Sequence, residues 1–252
     1  MQAFYTLATE DYRQLAVARD WASDLRTHAV DGRVRVLDVA CGSGKFPAAL
    51  LAAGLPAEPT IEVDLLDPSA FSIAEARAVL APPFVAAGEH EVFLQDFDAP
   101  GVYDVAWATH ALYAVPPAQL ADGVSKMVAA LRPGGFGAVA QAGTRSHYLA
   151  FYEAYRATFA PDVTPYTDAE GVADALRGAG ARTDVQEIHY RTGSADRGVV
   201  EGFLQRCAFD DTVPLERMEA EGPMAVYLQG CRRADGSYEF VHEAHLITWV
   251  HA

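Results

Sequence analysis

The stretch Val36-Leu37-Asp38-Val39-Ala40-Cys41-Gly42-Ser43-Gly44 decides the fold class of this 252-residue chain. The β-branched and leucine-bearing run from Val34 to Val39 predicts a short strand, and helical sequence follows at once from Phe46 to Ala53. Glycines between a strand and a helix let a ligand approach the backbone, and the first amides of the helix offer donors to it. The stretch therefore predicts a strand–turn–helix unit that binds a ligand.

The alternation of strand and helix continues along the chain. Periodicity and turn residues predict further strands at 61–66, 92–94, 103–108, 136–140, 182–190 and 239–250, and helices at 9–29, 69–80, 118–131, 146–159, 167–177 and 199–209. Such alternation favours a mostly parallel sheet with helices on both faces. We expect one domain over 1–252, with an N-terminal lid helix in 1–30, a cofactor-binding half in 34–141 and a substrate-binding elaboration in 142–252.

Three acids lie at the carboxyl ends of three successive predicted strands. A carboxylate at Asp38, inside the glycine turn, would repel a pyrophosphate but suits a cationic ligand such as S-adenosylmethionine. Asp67 follows Gly44 at about the 20-residue distance at which an acid binds ribose hydroxyls in nucleotide sites. Asp96 follows the predicted strand 92–94. The expected partners of the three acids are the methionine end, the ribose and the adenine amine.

Composition excludes several classes of function. The 19 Lys+Arg against 34 Asp+Glu give a formal charge of -15, which opposes binding to nucleic acid or to an anionic membrane. Three widely spaced cysteines without a C-x-x-C pattern argue against a structural zinc site and against disulfides, so we expect no metal. No apolar run approaches a membrane span. We expect a soluble cytoplasmic protein, monomeric or homodimeric, with a small-molecule partner.

The residues 34–141 resemble the class I S-adenosylmethionine-dependent methyltransferases. The resemblance rests on the Val36–Gly44 turn, Asp67-Pro68-Ser69, Gln95-Asp96-Phe97 and Leu131-Arg132-Pro133-Gly134-Gly135. It implies an α/β fold with a Rossmann-like seven-stranded sheet, mostly parallel, whose antiparallel last strand is 239–250. The implied cofactor is S-adenosylmethionine, with expected contacts from Asp38, Ala40, Gly42, Gly44, Asp67, Pro68, Asp96, Phe97 and Thr109.

A narrower resemblance is to the histamine N-methyltransferases. It rests on His110-Ala111-Leu112-Tyr113-Ala114-Val115, Tyr166-Thr167-Asp168, Phe203-Leu204-x-x-Cys207-x-Phe209 and the terminal segment 239–252. In that family a glutamine that faces the substrate stands at the position of His110, and an asparagine stands at Glu243, or at His242 after a shift of one residue. Ionisable groups replace both amides here, which argues against histamine itself as the substrate.

Methyl transfer requires alignment of nucleophile, methyl group and leaving sulfur, and a base only where the nucleophile must lose a proton. The candidate bases are His110 and Glu243. Strand alternation places Glu243 and His245 on one face of the last strand and His242 on the other. The expected substrate-binding residues share aromatic or imidazole side chains and are Tyr5, Tyr12, Tyr113, Tyr148, Tyr152, His242 and His245. Each has a structural alternative as a packing or solvated residue.

The sequence thus predicts a methyltransferase that acts on nitrogen or carbon of a small aromatic or heteroaromatic metabolite, of indole or imidazole type, in secondary metabolism. An O-methyltransferase of a small phenolic metabolite is an alternative. A nucleotide-dependent Rossmann oxidoreductase is a second alternative, which Asp38 disfavours, as does Pro47 at the third position of the dinucleotide glycine motif. A non-catalytic cofactor-binding protein on the same fold is a third.

Overall fold

The strand Arg33–Val39 (β1) lies within a seven-stranded sheet. In the computed structural model, which describes residues 2–252, it pairs in parallel with Thr60–Leu66 (β2) and with Tyr103–Thr109 (β4). The other strands are β3 (Phe84–His90), β5 (Leu131–Ala142), β6 (Arg182–Ser194) and β7 (Tyr238–Val250). Their order is β3-β2-β1-β4-β5-β7-β6, and β7 is antiparallel to both neighbours. The predicted fold class is confirmed.

Helices cover both faces of the sheet and extend beyond it. Their bounds are α1 (Gln2–Val17), α2 (Trp21–His28), α3 (Lys45–Ala52), α4 (Ala70–Val79), α5 (Pro117–Ala130), α6 (His147–Phe159), α7 (Ala169–Gly178), α8 (Arg197–Ala208), α9 (Leu215–Ala220) and α10 (Gly222–Cys231). The first four pack on the face that carries Val36 and Trp107, and α5 and α7 pack on the face that carries Leu37 and Val139. The amino end of α1, with α6, α8, α9 and α10, forms a third apolar cluster.

The third strand is not where the pattern predicted it. The prediction was 92–94, whereas β3 is Phe84–His90 and the segment Leu94–Asp96 is a turn of 3₁₀ helix. This strand lies at an edge of the sheet, and its side chains alternate between at least half-buried and exposed. Its apolar run is limited to Phe84–Ala87 and is followed by Gly88, Glu89 and His90, whereas a strand buried on both faces is apolar along nearly all of its length.

The helical predictions were wrong in detail at three places. The predicted helix 9–29 is two helices, because the chain turns at residues 18–20 and Asp20 accepts the N–H of Ser23 to start α2. Helices α4 and α7 begin at Ala70 and Ala169, one and two residues after the predicted starts, and their caps are Ser69 and Asp168. Helices α9 and α10 were not predicted. Within residues 2–252, no helix combines the length and apolar character that crossing a membrane requires.

Candidate active site

The turn between β1 and α3 leaves its backbone open at the carboxyl edge of the sheet. Ala40, Gly42 and Gly44 have φ angles of 50°, 53° and 69°. This conformation costs roughly 1–2 kcal/mol at alanine and little at glycine. A Cβ atom at Gly44 would lie 2.6 Å from Val79 Cγ2 and 3.1 Å from Ala76 Cα, so the absence of a side chain lets α3 start against α4. At Gly42 the space is open, so a ligand can approach the backbone.

Asp67 fixes the shape of this turn. Its Oδ2 accepts the N–H of Gly42 at 3.1 Å, and its Oδ1 accepts the N–H of Ser69 at 2.9 Å. The residue directly follows β2 and is nearly buried. The carboxylate thus joins the ends of β1 and β2, which is the place predicted for the ribose-binding acid.

Asp38 is a buried acid with an unsatisfied oxygen. Its exposed fraction is 2%, and its Oδ2 has no hydrogen-bond partner among the residues that the structure describes. Burial raises the pKa of the Asp38 carboxyl to about 7, and the charge of nearby Asp67 adds to the increase. An unpaired buried acceptor is costly. A ligand cation at the end of β1 would remove that cost.

A groove of about 470 Å³ lies beside the turn. Its walls are mostly apolar, and they consist of Val39, Ala40, Leu66, Pro68, Phe93, Leu94, Gln95, Ala111, Leu112, Val115, Pro116 and Gln119. The Gln95 amide donates to Gln119 Oε1 at 3.0 Å, so the amide groups of two glutamines lie in the groove. An apolar cleft with a few convergent polar groups at the carboxyl ends of parallel strands is typical of a nucleoside site.

Two predicted cofactor residues, Asp96 and Phe97, lie neither in this groove nor in the glycine turn beside it. Asp96 is exposed at the end of the 3₁₀ turn, and Phe97 is buried beneath it, where its ring contacts His90 and Tyr103 at centroid distances of 5.0 and 6.3 Å. The turn brings Phe93, Leu94 and Gln95 to the groove in their place. The expectation for Asp96 and Phe97 depended on the misplaced third strand. Ala40 and Pro68 do line the groove, and Thr109 ends β4 beside it, half-buried.

A second cavity, of about 170 Å³, lies between α1, α6, α8 and the loop after β4; we call it the tyrosine pocket. Its lining is Phe4, Tyr5, Ala8, Asp11, Tyr12, His110, Tyr113, Tyr148, Tyr166, Arg206, Cys207 and Phe209. Tyr5, Tyr12, Tyr113, Tyr148 and His110 were all predicted from the sequence, and the structure brings them together. The groove and the pocket share one loop, because His110 lines the pocket while Ala111 and Leu112 line the groove.

Helix α1 lines the tyrosine pocket and contacts the turn between β1 and α3. Tyr5 hydrogen-bonds through its hydroxyl to Ser43 Oγ at 2.9 Å, and Lys45 Nζ lies 4.2 Å from the centre of the Tyr5 ring. The same helix carries Asp11 and Tyr12 into the tyrosine pocket. The N-terminal lid that the sequence predicts in 1–30 would be formed by this helix.

Asp11 was not predicted as a site residue, yet its carboxylate lies in the wall of the pocket. Its exposed fraction is 3%, its Oδ1 accepts the Tyr190 hydroxyl at 2.8 Å, and its Oδ2 accepts the Tyr148 hydroxyl. Burial raises its pKa to about 7, although both phenol hydrogen bonds act in the opposite direction. The signal was present: Asp11 shares a helical face with Ala8 and Leu15, where an acid is out of place.

His110 has a strained backbone and an uncharged ring. Its φ is 52°, and its N–H donates to the Ala140 carbonyl at 2.8 Å. A non-glycine residue in this conformation costs roughly 1–3 kcal/mol and is often found at functional sites. Its Nδ1 lies 2.9 Å from the Tyr113 hydroxyl, and the ring of Tyr12 meets it edge-on at 5.8 Å. Burial lowers the pKa of the imidazole to about 4, so the ring is neutral at physiological pH.

The structure does not bring Glu243 or His245 into the tyrosine pocket. Glu243 Oε2 accepts from Arg145 Nε at 2.8 Å, and His245 Nε2 lies 3.2 Å from Glu243 Oε1. Both side chains lie on the face that carries Val139 and Ile247, whereas α1 covers the other face. The sheet therefore separates Glu243, predicted as a base, and His245, predicted as a substrate contact, from this pocket.

His242 and Tyr152 lie one layer behind the pocket. His242 is fully buried, its Nε2 lies 2.8 Å from Thr192 Oγ1, and its ring stacks on Tyr190 at 4.7 Å. Tyr152 stacks on Tyr166 with a centroid distance of 3.5 Å. Neither residue lines the pocket, so both support its walls where direct substrate contact was expected.

The segment from β1 to the middle of β5 is similar to a known protein family. Residues 37–136 match a family model described as a methyltransferase domain. The chain contains a methyltransferase domain. The match covers about two fifths of the chain, and it bears out the methyltransferase activity and the S-adenosylmethionine cofactor expected from the sequence.

Solved structures share the fold of this methyltransferase at low sequence identity. The YcgJ protein of Bacillus subtilis is 12% identical, with coverage of 90% of this chain and 95% of that one and a TM-score of 0.63. A methyltransferase of Thermotoga maritima described as a possible histamine N-methyltransferase is 13% identical (97% and 93% covered, TM-score 0.50). The 1,6-didemethyltoxoflavin-N1-methyltransferase of Burkholderia thailandensis is also 13% identical (96% and 78% covered, TM-score 0.50). No curated protein matches the chain. These likenesses concern the fold.

The residues of the methyltransferase fit S-adenosylmethionine. Asp38 Oδ2 is a buried acceptor without a partner, as the ammonium group of the ligand requires. The Gly42 backbone is open to approach, and the apolar groove beyond it can take a nucleoside. The chemistry of the donor set therefore agrees with the cofactor of the family.

Removing the charge of Asp38 is expected to change how stability depends on pH. The folded pKa, about 7, lies above the ordinary value of 3.8, so this carboxyl stabilises the fold below about pH 4 and loses that contribution as pH rises through about 7. The free energy of unfolding of Asp38→Asn, relative to wild type, should therefore increase between about pH 4 and pH 7. Urea unfolding of both cofactor-free proteins over this range measures the difference. Wild type and variant must be compared because other groups also change stability over this range. The pKa values of buried His110 and His242 are lowered to about 4 and about 3, so these two residues increase the free energy of unfolding as pH rises.

Proposed function

We propose that this methyltransferase transfers a methyl group to a nitrogen atom of a small aromatic or heteroaromatic amine, with carbon of an indole-type ring as the nearest variant. The observation that carries the proposal is the buried Asp11 carboxylate in the wall of a pocket formed largely by tyrosine rings. Secondary metabolism and a cytoplasmic location are part of the proposal on the sequence arguments given above.

The pocket recognises positive charge in two ways. The Asp11 carboxylate, oriented by the hydroxyls of Tyr148 and Tyr190, can bind an ammonium or ring N–H group. The faces of aromatic rings attract cations, and rings from Tyr5, Tyr12 and Tyr113 also line the cavity. A flat ring that carries an amine suits both features.

Asp11 can also remove the proton that an amine must lose. S-adenosylmethionine supplies an electrophilic methyl group on a sulfonium centre. An ammonium group has no free lone pair, so its proton must pass to a protein group before it can act as nucleophile. A carboxyl whose pKa is about 7 is suited to accept it near neutral pH. Tyr5 and α1 cover the cavity and hold the substrate against the β4 loop.

The phenolic alternative has one observation in its favour. The same Asp11 can accept the proton of a phenol, because a raised carboxyl pKa narrows the gap to the pKa of the substrate hydroxyl. The attraction of the Asp11 carboxylate and the tyrosine rings for positive charge favours the amine. The two alternatives differ in the atom that carries the new methyl group.

A panel of acceptors tests the proposal. The protein is incubated with methyl-labelled S-adenosylmethionine and matched pairs that share one ring and differ in an amine or a hydroxyl group, together with indoles and imidazoles. We expect labelled N-methyl product, and a higher kcat/KM for the amine of each pair. Calorimetric titration with S-adenosylhomocysteine shows whether each preparation is competent. Label on phenol oxygen alone, in a preparation that binds S-adenosylhomocysteine, would contradict the proposal.

A further inference from the structure

The hydroxyl group of Tyr113 lies between two partners. It accepts the backbone N–H of Ala142 at 3.1 Å and lies 2.9 Å from His110 Nδ1. Ala142 is the last residue of β5, and Tyr113 lies on the short 3₁₀ turn Leu112–Ala114 that follows His110. The sheet backbone therefore fixes the position of the phenol oxygen beside the imidazole.

The position of each proton follows from what each group can donate. Burial raises the pKa of the Tyr113 phenol well above its ordinary value, so the hydroxyl keeps its proton. The Ala142 N–H can only donate, so among the described residues His110 Nδ1 is the acceptor available to the phenol proton. A neutral imidazole that accepts at Nδ1 carries its own hydrogen on Nε2.

The other nitrogen of His110 faces the pocket. Among residues 2–252, His110 Nε2 has no hydrogen-bond partner. It is also absent from the fully buried polar atoms that lack a partner, so this nitrogen is accessible. His147 and His242, by contrast, each have a buried unpaired ring nitrogen. Since His110 lines the tyrosine pocket, its Nε2 is the ring nitrogen available to a substrate.

We infer that Tyr113 holds His110 in the Nε2–H tautomer, so that the imidazole offers the substrate a hydrogen-bond donor and does not act as a base. Tyr113 is thus a positioning residue, and the expectation that His110 is a base is revised. The substrate would carry an acceptor atom, such as a pyridine-type ring nitrogen or a carbonyl oxygen, in addition to the amine group that meets Asp11. The statement about the substrate rests on the proposed function, whereas the statement about the tautomer does not.

Nitrogen NMR of the wild-type protein tests the tautomer directly. The protein is labelled with ¹⁵N-histidine, without added substrate, and the resonances of His110 are identified by their loss in His110→Gln. We expect a protonated Nε2 and an unprotonated Nδ1 at neutral pH. A protonated Nδ1, an even mixture of the two tautomers or a doubly protonated ring in wild type would overturn the inference.

Tyr113→Phe tests the cause. Removing the hydroxyl is expected to convert His110 to a mixture of tautomers. Tyr166→Phe is the matched control, because its hydroxyl lies in the same pocket but donates to the Cys207 carbonyl at 2.7 Å. The His110 spectrum should be unchanged in the control. If Tyr113→Phe leaves the wild-type tautomer in place, Tyr113 does not hold it; if that variant does not fold, the wild-type spectrum still decides the tautomer.

Substrate discrimination provides the second readout. Between two ring amines that differ only in a pyridine-type nitrogen or a C–H, wild type should favour the nitrogen compound by about five- to tenfold in kcat/KM, the worth of one ordinary hydrogen bond. In Tyr113→Phe this preference should decrease, while binding of S-adenosylhomocysteine stays as in wild type. Equal use of both compounds by wild type would contradict the donor role. Failure of every amine would contradict the proposed function and leave the NMR result standing.

Discussion

Asp38→Asn is expected to weaken S-adenosylhomocysteine binding by roughly 10- to 150-fold, because a hydrogen bond to a charged group contributes about 1.5–3 kcal/mol. The asparagine side chain has nearly the same size, but it lacks the charge that balances the ligand ammonium. Calorimetric titration of wild type and variant measures the change.

Two observations separate this effect from a folding defect. The variant removes a buried carboxyl with an unpaired oxygen, so without ligand it should be at least as stable as wild type at about pH 8. Asp184→Asn is the matched control, since it removes the same charge from an exposed position near the start of β6, at the opposite edge of the sheet. Unchanged affinity in Asp38→Asn would remove this carboxylate from the cofactor site.

Asp11→Asn is expected to reduce kcat/KM for the preferred amine by about 100-fold or more, since a positioned acid or base contributes about 10²–10⁴ to rate. The loss should appear in both KM and kcat, because the carboxylate binds the ammonium group and takes its proton. Steady-state kinetics with the best acceptor of the panel measures it, and S-adenosylhomocysteine affinity should be unchanged.

Glu10→Gln is the natural control for this substitution. Glu10 is the neighbouring acid on α1, but its side chain is turned towards Arg13 and Gln14 and does not line the pocket. It should behave as wild type. If Asp11→Asn retains wild-type kinetics on amines, the acid is a structural partner of Tyr148 and Tyr190, and another group recognises the substrate.

The parts of the fold that sequence could predict are those that depend on neighbouring residues. The glycine turn, the acid after β2 and the histidine after β4 each follow a strand directly, so their place at the carboxyl edge follows from the parallel order. The position of Asp96 was not predictable in this way. It depended on an edge strand, β3, whose alternating pattern is weaker than that of a central strand.

The residue positions that the sequence did not predict depend on which face of a helix or of the sheet a side chain occupies. A helix that began at residue 9, as predicted, would have Asp11 in its exposed first turn, but α1 begins at Gln2, so Asp11 lies within the helix and faces inwards. Glu243 and His242 are adjacent, and only the pairing of β7 with β5 and β6 decides which of them lies on the α1 side. No local pattern contains that information.

The position of α1 has a practical consequence for anyone who prepares this protein. Phe4 and Tyr5 line the tyrosine pocket, so a change at this end of α1 alters the candidate acceptor site directly. Val250, at the end of β7, pairs with Phe136 of β5. It therefore lies at the edge of the sheet opposite to the carboxyl ends of the parallel strands. A probe for kinetic work therefore belongs near the end of β7 and not on α1.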